Sequence, residues 1–186
     1  MDLSNPDGIR LLAELLAGGA AVRFTVTGAS MRPFLAGGET VELRPVPPDR
    51  IRPGDLVLFR PSRPEAAYTP VGVLPAEGPQ LMLHRVIRIR RGAGLPALIQ
   101  TQGDALWAPD DPVEEEQVLA RVCAVERAGS DGSSRWSDLG GFPWQAVGRL
   151  VVLRQGICWR ARRAFAWARR LPHDRNSLSA RRSPAG

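Results

Sequence analysis

The chain has 186 residues, enough for one medium domain with an appendage and a core of its own. It carries 19 Gly and 17 Pro with few aromatics, which favours short strands and turns over long helices. All 25 basic residues are arginine, which excludes every catalytic arrangement that uses lysine as the base.

Charge is divided unequally along the chain. Residues 1–140 hold 15 Arg against 18 acids, whereas residues 141–186 hold 10 Arg against one acid. The net charge of +6 therefore comes from the tail. Cys123 and Cys158 are isolated thiols without disulfide-framework or zinc spacing, and His84 and His173 are too few for a histidine-rich metal centre. No metal and no cofactor is expected. The opening Met1-Asp2-Leu3-Ser4-Asn5-Pro6-Asp7 is acidic where a secretory signal is basic. No apolar run approaches the roughly 20 residues that span a bilayer.

In chain order, Ile9, Leu11, Leu12, Leu15 and Leu16 recur at helical spacing and stop at Gly18-Gly19. Residues 1–20 thus read as a short helix lying on the domain. Ala21 to Thr27 alternates like a strand and runs into Gly28-Ala29-Ser30-Met31-Arg32-Pro33-Phe34-Leu35. Gly admits unusual dihedrals and Pro fixes its own φ, so Ser30 sits on a sharply defined corner. The plain alternative is a serine in an ordinary turn. Further strands are expected at Glu39–Leu43, Leu56–Phe59, Leu81–Arg90, Ala97–Thr101 and, as the last, Gln117–Val125, with one more around Tyr68 to Leu74. In the longest of these, Leu81, Leu83, Ile87 and Ile89 form one face, and Met82, His84 and Val86 the other. Some seven strands without a βαβ rhythm predict a mainly antiparallel β domain over residues 21–128.

Residues 129–143 read as a Gly/Ser-rich linker. From 144 to 171, apolar residues recur every three or four positions among Arg149, Arg154, Arg160, Arg162, Arg163, Arg169 and Arg170. This predicts a basic amphipathic helix, with Trp144, Trp159 and Trp167 suited to a headgroup boundary. Residues 172–186 read as a disordered tail.

A serine hydroxyl is a poor nucleophile until a base takes its proton. His84 is the single histidine of the β domain, and a histidine base needs a carboxylate to hold its tautomer. Asp104, Asp110 and Asp111 share one loop and are all candidates, although an Asp after Gly also caps its own turn.

Four blocks occur in order: Gly28-x-Ser30-Met31-x-Pro33-x-Leu35, Gly54-Asp55-Leu56-Val57-Leu58-Phe59, His84-Arg85-Val86, and Gly103-Asp104-Ala105 with a following Asp. Over residues 21–126 this set resembles the S24/S26 serine peptidases, most closely type I signal peptidases of the endoplasmic-reticulum and archaeal type. In that branch histidine replaces the lysine base of other members, in keeping with the absence of lysine here. The resemblance implies a coiled antiparallel β domain whose groove binds substrate as an extended strand. It implies Ser30 as nucleophile, His84 as general base and Asp110 as the orienting acid, with Asp104 in support and Asp111 competing for the role. Gly28, Met31 and Pro33 would line the substrate site, and the Ser30 backbone N–H would hold the oxyanion. A side-chain hydroxyl two residues before the nucleophile, found in some relatives, is Gly28 here. Three departures stand out: Leu106 replaces an asparagine common in the family, the N-terminal membrane anchor is missing, and the basic C-terminal helix is extra.

The leading expectation is a serine endopeptidase that removes a signal- or leader-like peptide from a precursor, with activity rising through about pH 6 to 7. The alternative is an inactive peptide-binding module of the same fold. The Arg/Trp helix suits an anionic membrane surface better than nucleic acid, since no DNA-reading motif accompanies it. The expected location is cytoplasmic or peripheral on the inner face of a membrane.

Overall fold

The computed structural model describes residues 6–62, 81–129 and 132–168. Its elements are α1 (Pro6–Ala17), β1 (Val22–Thr25), β2 (Thr40–Arg44), β3 (Leu56–Phe59), β4 (Met82–Arg90), β5 (Leu98–Gln102), β6 (Val113–Glu114), β7 (Val118–Ala128), β8 (Ser134–Asp138) and α2 (Phe142–Ala168). The fold is mainly β. The strands form one curled sheet in the order β1-β2-β7-β3-β4-β5-β6, with β8 also on β7, and every pairing is antiparallel.

β3 sits near the middle of the sheet, and all four of its side chains are buried. Alternate side chains along a strand point to opposite faces, so this run serves two cores at once. Leu56 and Leu58 join Leu12 and Leu16 of α1, Val41 and Leu43 of β2, and Val122 and Val125 of β7. Val57 and Phe59 join Ile51, Met82, Val86, Ile99 and Val113 on the other face. The helical spacing read at the N-terminus is that of α1, whose Leu12 and Leu16 face this first core.

The faces of β4 depart from simple alternation. The β4–β5 register shifts between Val86 and Arg88. Leu81 and Leu83 pack on the first core, but Ile89, beyond the shift, packs with Met82 and Val86 on the second. One extra residue in a ladder exchanges the faces of everything that follows it. The expected common face of Leu81, Leu83, Ile87 and Ile89 is therefore broken.

The expected linker over residues 129–143 is corrected as well. It contains β8, whose Ser134–Asp138 pair with Ala124–Ala128 of β7. β7 is 11 residues long and runs past the end of β3, and its remaining edge is taken by the returning chain. The hairpin closes through Gly129 N–H to the Ser133 carbonyl at 2.6 Å, and Gly132 adopts φ +77°, a conformation that favours glycine. Gln117–Val125 is thus not the last strand. The strand expected around Tyr68 to Leu74 and the tail over residues 172–186 lie outside the described residues.

α2 follows the predicted basic helix closely and begins two residues earlier. It is seated where Gly148 crosses Gly54: a Cβ on Gly148 would lie 2.8 Å from the Gly54 carbonyl, so glycine permits the contact. Trp144 meets Phe34 edge to face at 5.6 Å. Among the described residues, no helix is long and apolar enough to cross a membrane.

The turn that receives Gly148 contains Asp55, whose Oδ2 accepts the Arg52 N–H at 2.8 Å. Burial pushes the Asp55 carboxyl above its ordinary range, while that hydrogen bond and Arg121 pull the other way. An acid with a raised folded-state pKa opposes folding when ionised, and its opposition fades as pH falls and the group protonates. Asp55→Asn is therefore expected to raise the unfolding temperature more near neutral pH than in mild acid. Thermal melts at the two pH values check this, and an equal change in both would sink the assignment.

Candidate active site

Ser30 stands in the turn that follows β1. Two backbone bonds, Val26 N–H to the Glu39 carbonyl at 2.9 Å and Gly38 N–H to the Val26 carbonyl at 2.7 Å, close the neck of this loop. Met31 and Leu35 anchor the turn by burying their side chains in the first core. With the backbone on either side held down, Ser30 is left half-buried at the surface.

A second segment docks on this turn. The Ala105 N–H donates to the Ser30 carbonyl at 2.8 Å, and a Cβ at Gly103 would lie 2.7 Å from that same oxygen. Only glycine permits the approach, which accounts for Gly103 in the Gly-Asp pair. The loop then returns to β5, where the Asp110 N–H donates to the Thr101 carbonyl at 2.9 Å.

Between the two segments lies His84 of β4. Its Nδ1 is 2.8 Å from Asp110 Oδ2 and its Nε2 is 3.0 Å from Ser30 Oγ. The Thr101 hydroxyl donates to the same Asp110 oxygen at 2.6 Å. His84 is 3% exposed and Asp110 4%, and Phe59 lies beside the imidazole with ring centroids 6.2 Å apart. A carboxylate accepts only, so the neutral imidazole carries its proton on Nδ1 and turns the Nε2 lone pair to the Ser30 hydroxyl. Three residues separated by 54 and 26 positions in the chain thus form one hydrogen-bonded line.

The acids of the loop are sorted by this geometry. Asp110 meets His84, while Asp111 is exposed. Asp104, expected in support of the site, turns to Arg85 on the opposite face of β4. Arg85 Nε and Nη2 donate to its two oxygens at 2.8 and 2.6 Å, and Nη1 donates to the Gly54 carbonyl at 2.9 Å. Arg85 also lies over the Phe34 ring, 4.8 Å from its centroid. Asp104 therefore secures the loop to the sheet instead of acting on the histidine.

The expected substrate-lining residues divide too. Gly28 and Pro33 are exposed beside Ser30, and a Cβ at Gly28 would meet nothing within 4 Å. Met31 is 1% exposed, so its side chain belongs to the core and cannot line a groove. Sequence reasoning passed over Thr101 and the anchoring part of Arg85. The signal for Arg85 was alternation, since the residue after a strand histidine faces the other side of the sheet. Among the described residues no cluster of three His, Cys, Asp or Glu side chains could hold a metal ion.

Compared with models of protein families, with curated proteins and with solved structures, the chain matches none.

Proposed function

We propose that this protein is a serine endopeptidase that cuts a signal- or leader-like peptide from a precursor through an acyl-enzyme. The observation that carries the reading is the line from Ser30 Oγ through His84 to Asp110, at 3.0 and 2.8 Å. The resemblance of the four ordered sequence blocks to S24/S26 peptidases supports it.

In this reading Ser30 Oγ attacks the scissile carbonyl while His84 Nε2 takes its proton. The imidazolium that forms is stabilised by Asp110, which keeps the Nδ1 proton in place. The tetrahedral oxyanion is met by the Ser30 backbone N–H, since Gly28 brings no side-chain donor. Collapse breaks the C–N bond as His84 returns the proton to the leaving amine. Water then attacks the ester with His84 as base, releasing the new carboxyl end and restoring the serine hydroxyl. The substrate lies as an extended strand beside the Ser30 turn.

The same reading has the protein working at an anionic membrane surface. Val147, Leu150, Leu153 and Ile157 of α2 are exposed, with Arg149 and Arg154 between them, as an interfacial helix requires.

The test is a pool of precursor-like peptides with small residues before the cut, incubated with the full chain and vesicles and read by mass spectrometry. A parallel sample receives a fluorophosphonate, which adds covalently to an activated serine. Discrete cuts together with an adduct on Ser30 are expected. Peptides that bind yet stay whole, with no adduct, would instead identify a binding module.

A further inference from the structure

Across β4 from His84, where α2 packs on the turn at Gly54, lies a cleft of about 70 Å³. Arg52, Arg85, Arg121 and Arg149 line it together with Phe34 and Trp144. Arg85 is already matched by Asp104. Arg52 turns its Nη1 to the Asp49 and Ile51 carbonyls, and Asp55 is then the one remaining carboxylate among the lining residues. It stands 3.7 Å from Arg121 Nη1, beyond hydrogen-bond reach, and its Oδ2 is engaged by the Arg52 backbone. The cleft therefore carries an excess of positive charge inside a partly desolvated pocket, where an anion of matching shape is strongly favoured.

The size narrows the ligand. Drug-sized molecules fill roughly 300–1,000 Å³, so this cleft suits one small group. A planar carboxylate satisfies one guanidinium fork, whereas a phosphate presents three acceptor oxygens and close to two charges, and arginines bind it by paired hydrogen bonds. Arg121 from β7, Arg149 from α2 and Arg52 from the turn before β3 approach from three separate elements.

We propose that this cleft is a phosphate-binding site, taking either a free phosphomonoester or the phosphate of a lipid headgroup. It does not depend on the catalytic line, because none of Arg52, Arg121 and Arg149 belongs to Ser30–His84–Asp110, although Arg149 also lies on the exposed face of α2.

The experiment uses the full chain. Thermal unfolding is followed against inorganic phosphate and glycerol 3-phosphate, with chloride holding the ionic strength constant. Flotation with phosphatidylglycerol–phosphatidylcholine vesicles forms the second arm. The Arg121→Gln/Arg149→Gln variant is compared with Arg88→Gln/Arg90→Gln, a pair of exposed β4 arginines outside the cleft. Saturable stabilisation by phosphate is expected, weakened about tenfold or more in the cleft variant and unchanged in the control. Flotation that falls about tenfold both in the cleft variant and with Arg121→Gln alone, but not in the control, would assign the ligand to a lipid headgroup. Flotation equal in both variants, with phosphate binding still lost in the cleft variant, would assign it to a free phosphomonoester. Arg121→Gln alone, which leaves the exposed face of α2 intact, repeats both arms and stands in for the double variant if that fails to fold. The proposal is overturned if phosphate acts no better than acetate, or if the cleft and control variants respond alike.

Discussion

Asp110→Asn is expected to lower turnover about 10⁴-fold with the fold intact, and Ser30→Ala to remove cleavage altogether. The amide nitrogen of an asparagine donates where the carboxylate accepted. Facing His84 Nδ1, it reverses the tautomer, so that Nε2 carries the proton and offers Ser30 no lone pair. The side chain keeps its volume, and the Thr101 hydroxyl, which donates to the oxygen this nitrogen replaces, can rotate to accept from its second N–H, so stability changes little. Steady-state cleavage measured beside thermal melts separates the two effects. A folded Asp110→Asn protein that loses less than about tenfold would remove Asp110 from the reaction, whereas Ser30→Ala losing nothing would remove the whole mechanism.

Asp104→Ala has the reverse signature, a large loss of stability. Arg85 is 2% exposed, and Asp104 takes two of its three side-chain hydrogen bonds. Removing one partner of a buried ion pair leaves the other charge desolvated, at a cost of about 3–5 kcal/mol. For a chain of this size that is a fall in unfolding temperature of roughly 6–20 °C. Replacing both charges together, as Arg85→Met with Asp104→Leu, should destabilise less than the single change, because no lone charge remains. A double variant worse than Asp104→Ala would show that the guanidinium is needed for something besides its carboxylate. The two acids of one loop are thus to be told apart by experiment: Asp110→Asn is expected to change turnover and Asp104→Ala folding.

Much of the local structure was legible because it rests on short-range rules. The stripe Ile9, Leu12, Leu16 announces α1, and all three residues are buried in the structure. The Gly28 to Pro33 stretch announces a turn that presents Ser30. Leu56–Phe59 reads as a buried strand and is one. The residues alone left Asp104, Asp110 and Asp111 open, since each suits a polar loop equally well, and only the resemblance favoured Asp110, the one that meets His84. β8 was hidden because Gly and Ser around it carry a linker's composition, while its reason for existing is the unfilled edge of β7. Met31 looked like a groove residue from its place beside Ser30, but it is the anchor that holds the turn down.

The sequence by itself determined the vocabulary of this protein. It provides one histidine in a β domain without lysine, a serine on a glycine–proline corner, strands of alternating residues, and arginines gathered toward the C-terminus. Only the tertiary structure decided the pairings: Ser30 with His84, His84 with Asp110, Arg85 with Asp104, and Arg121 with Arg149 around one cleft. The physical reason is register. Each pairing joins residues far apart in sequence, and a one-residue slip in any ladder turns a side chain to the opposite face. The shift at Ile87 of β4 is such a slip, and it follows His84 and Arg85, so both keep the faces on which their partners lie.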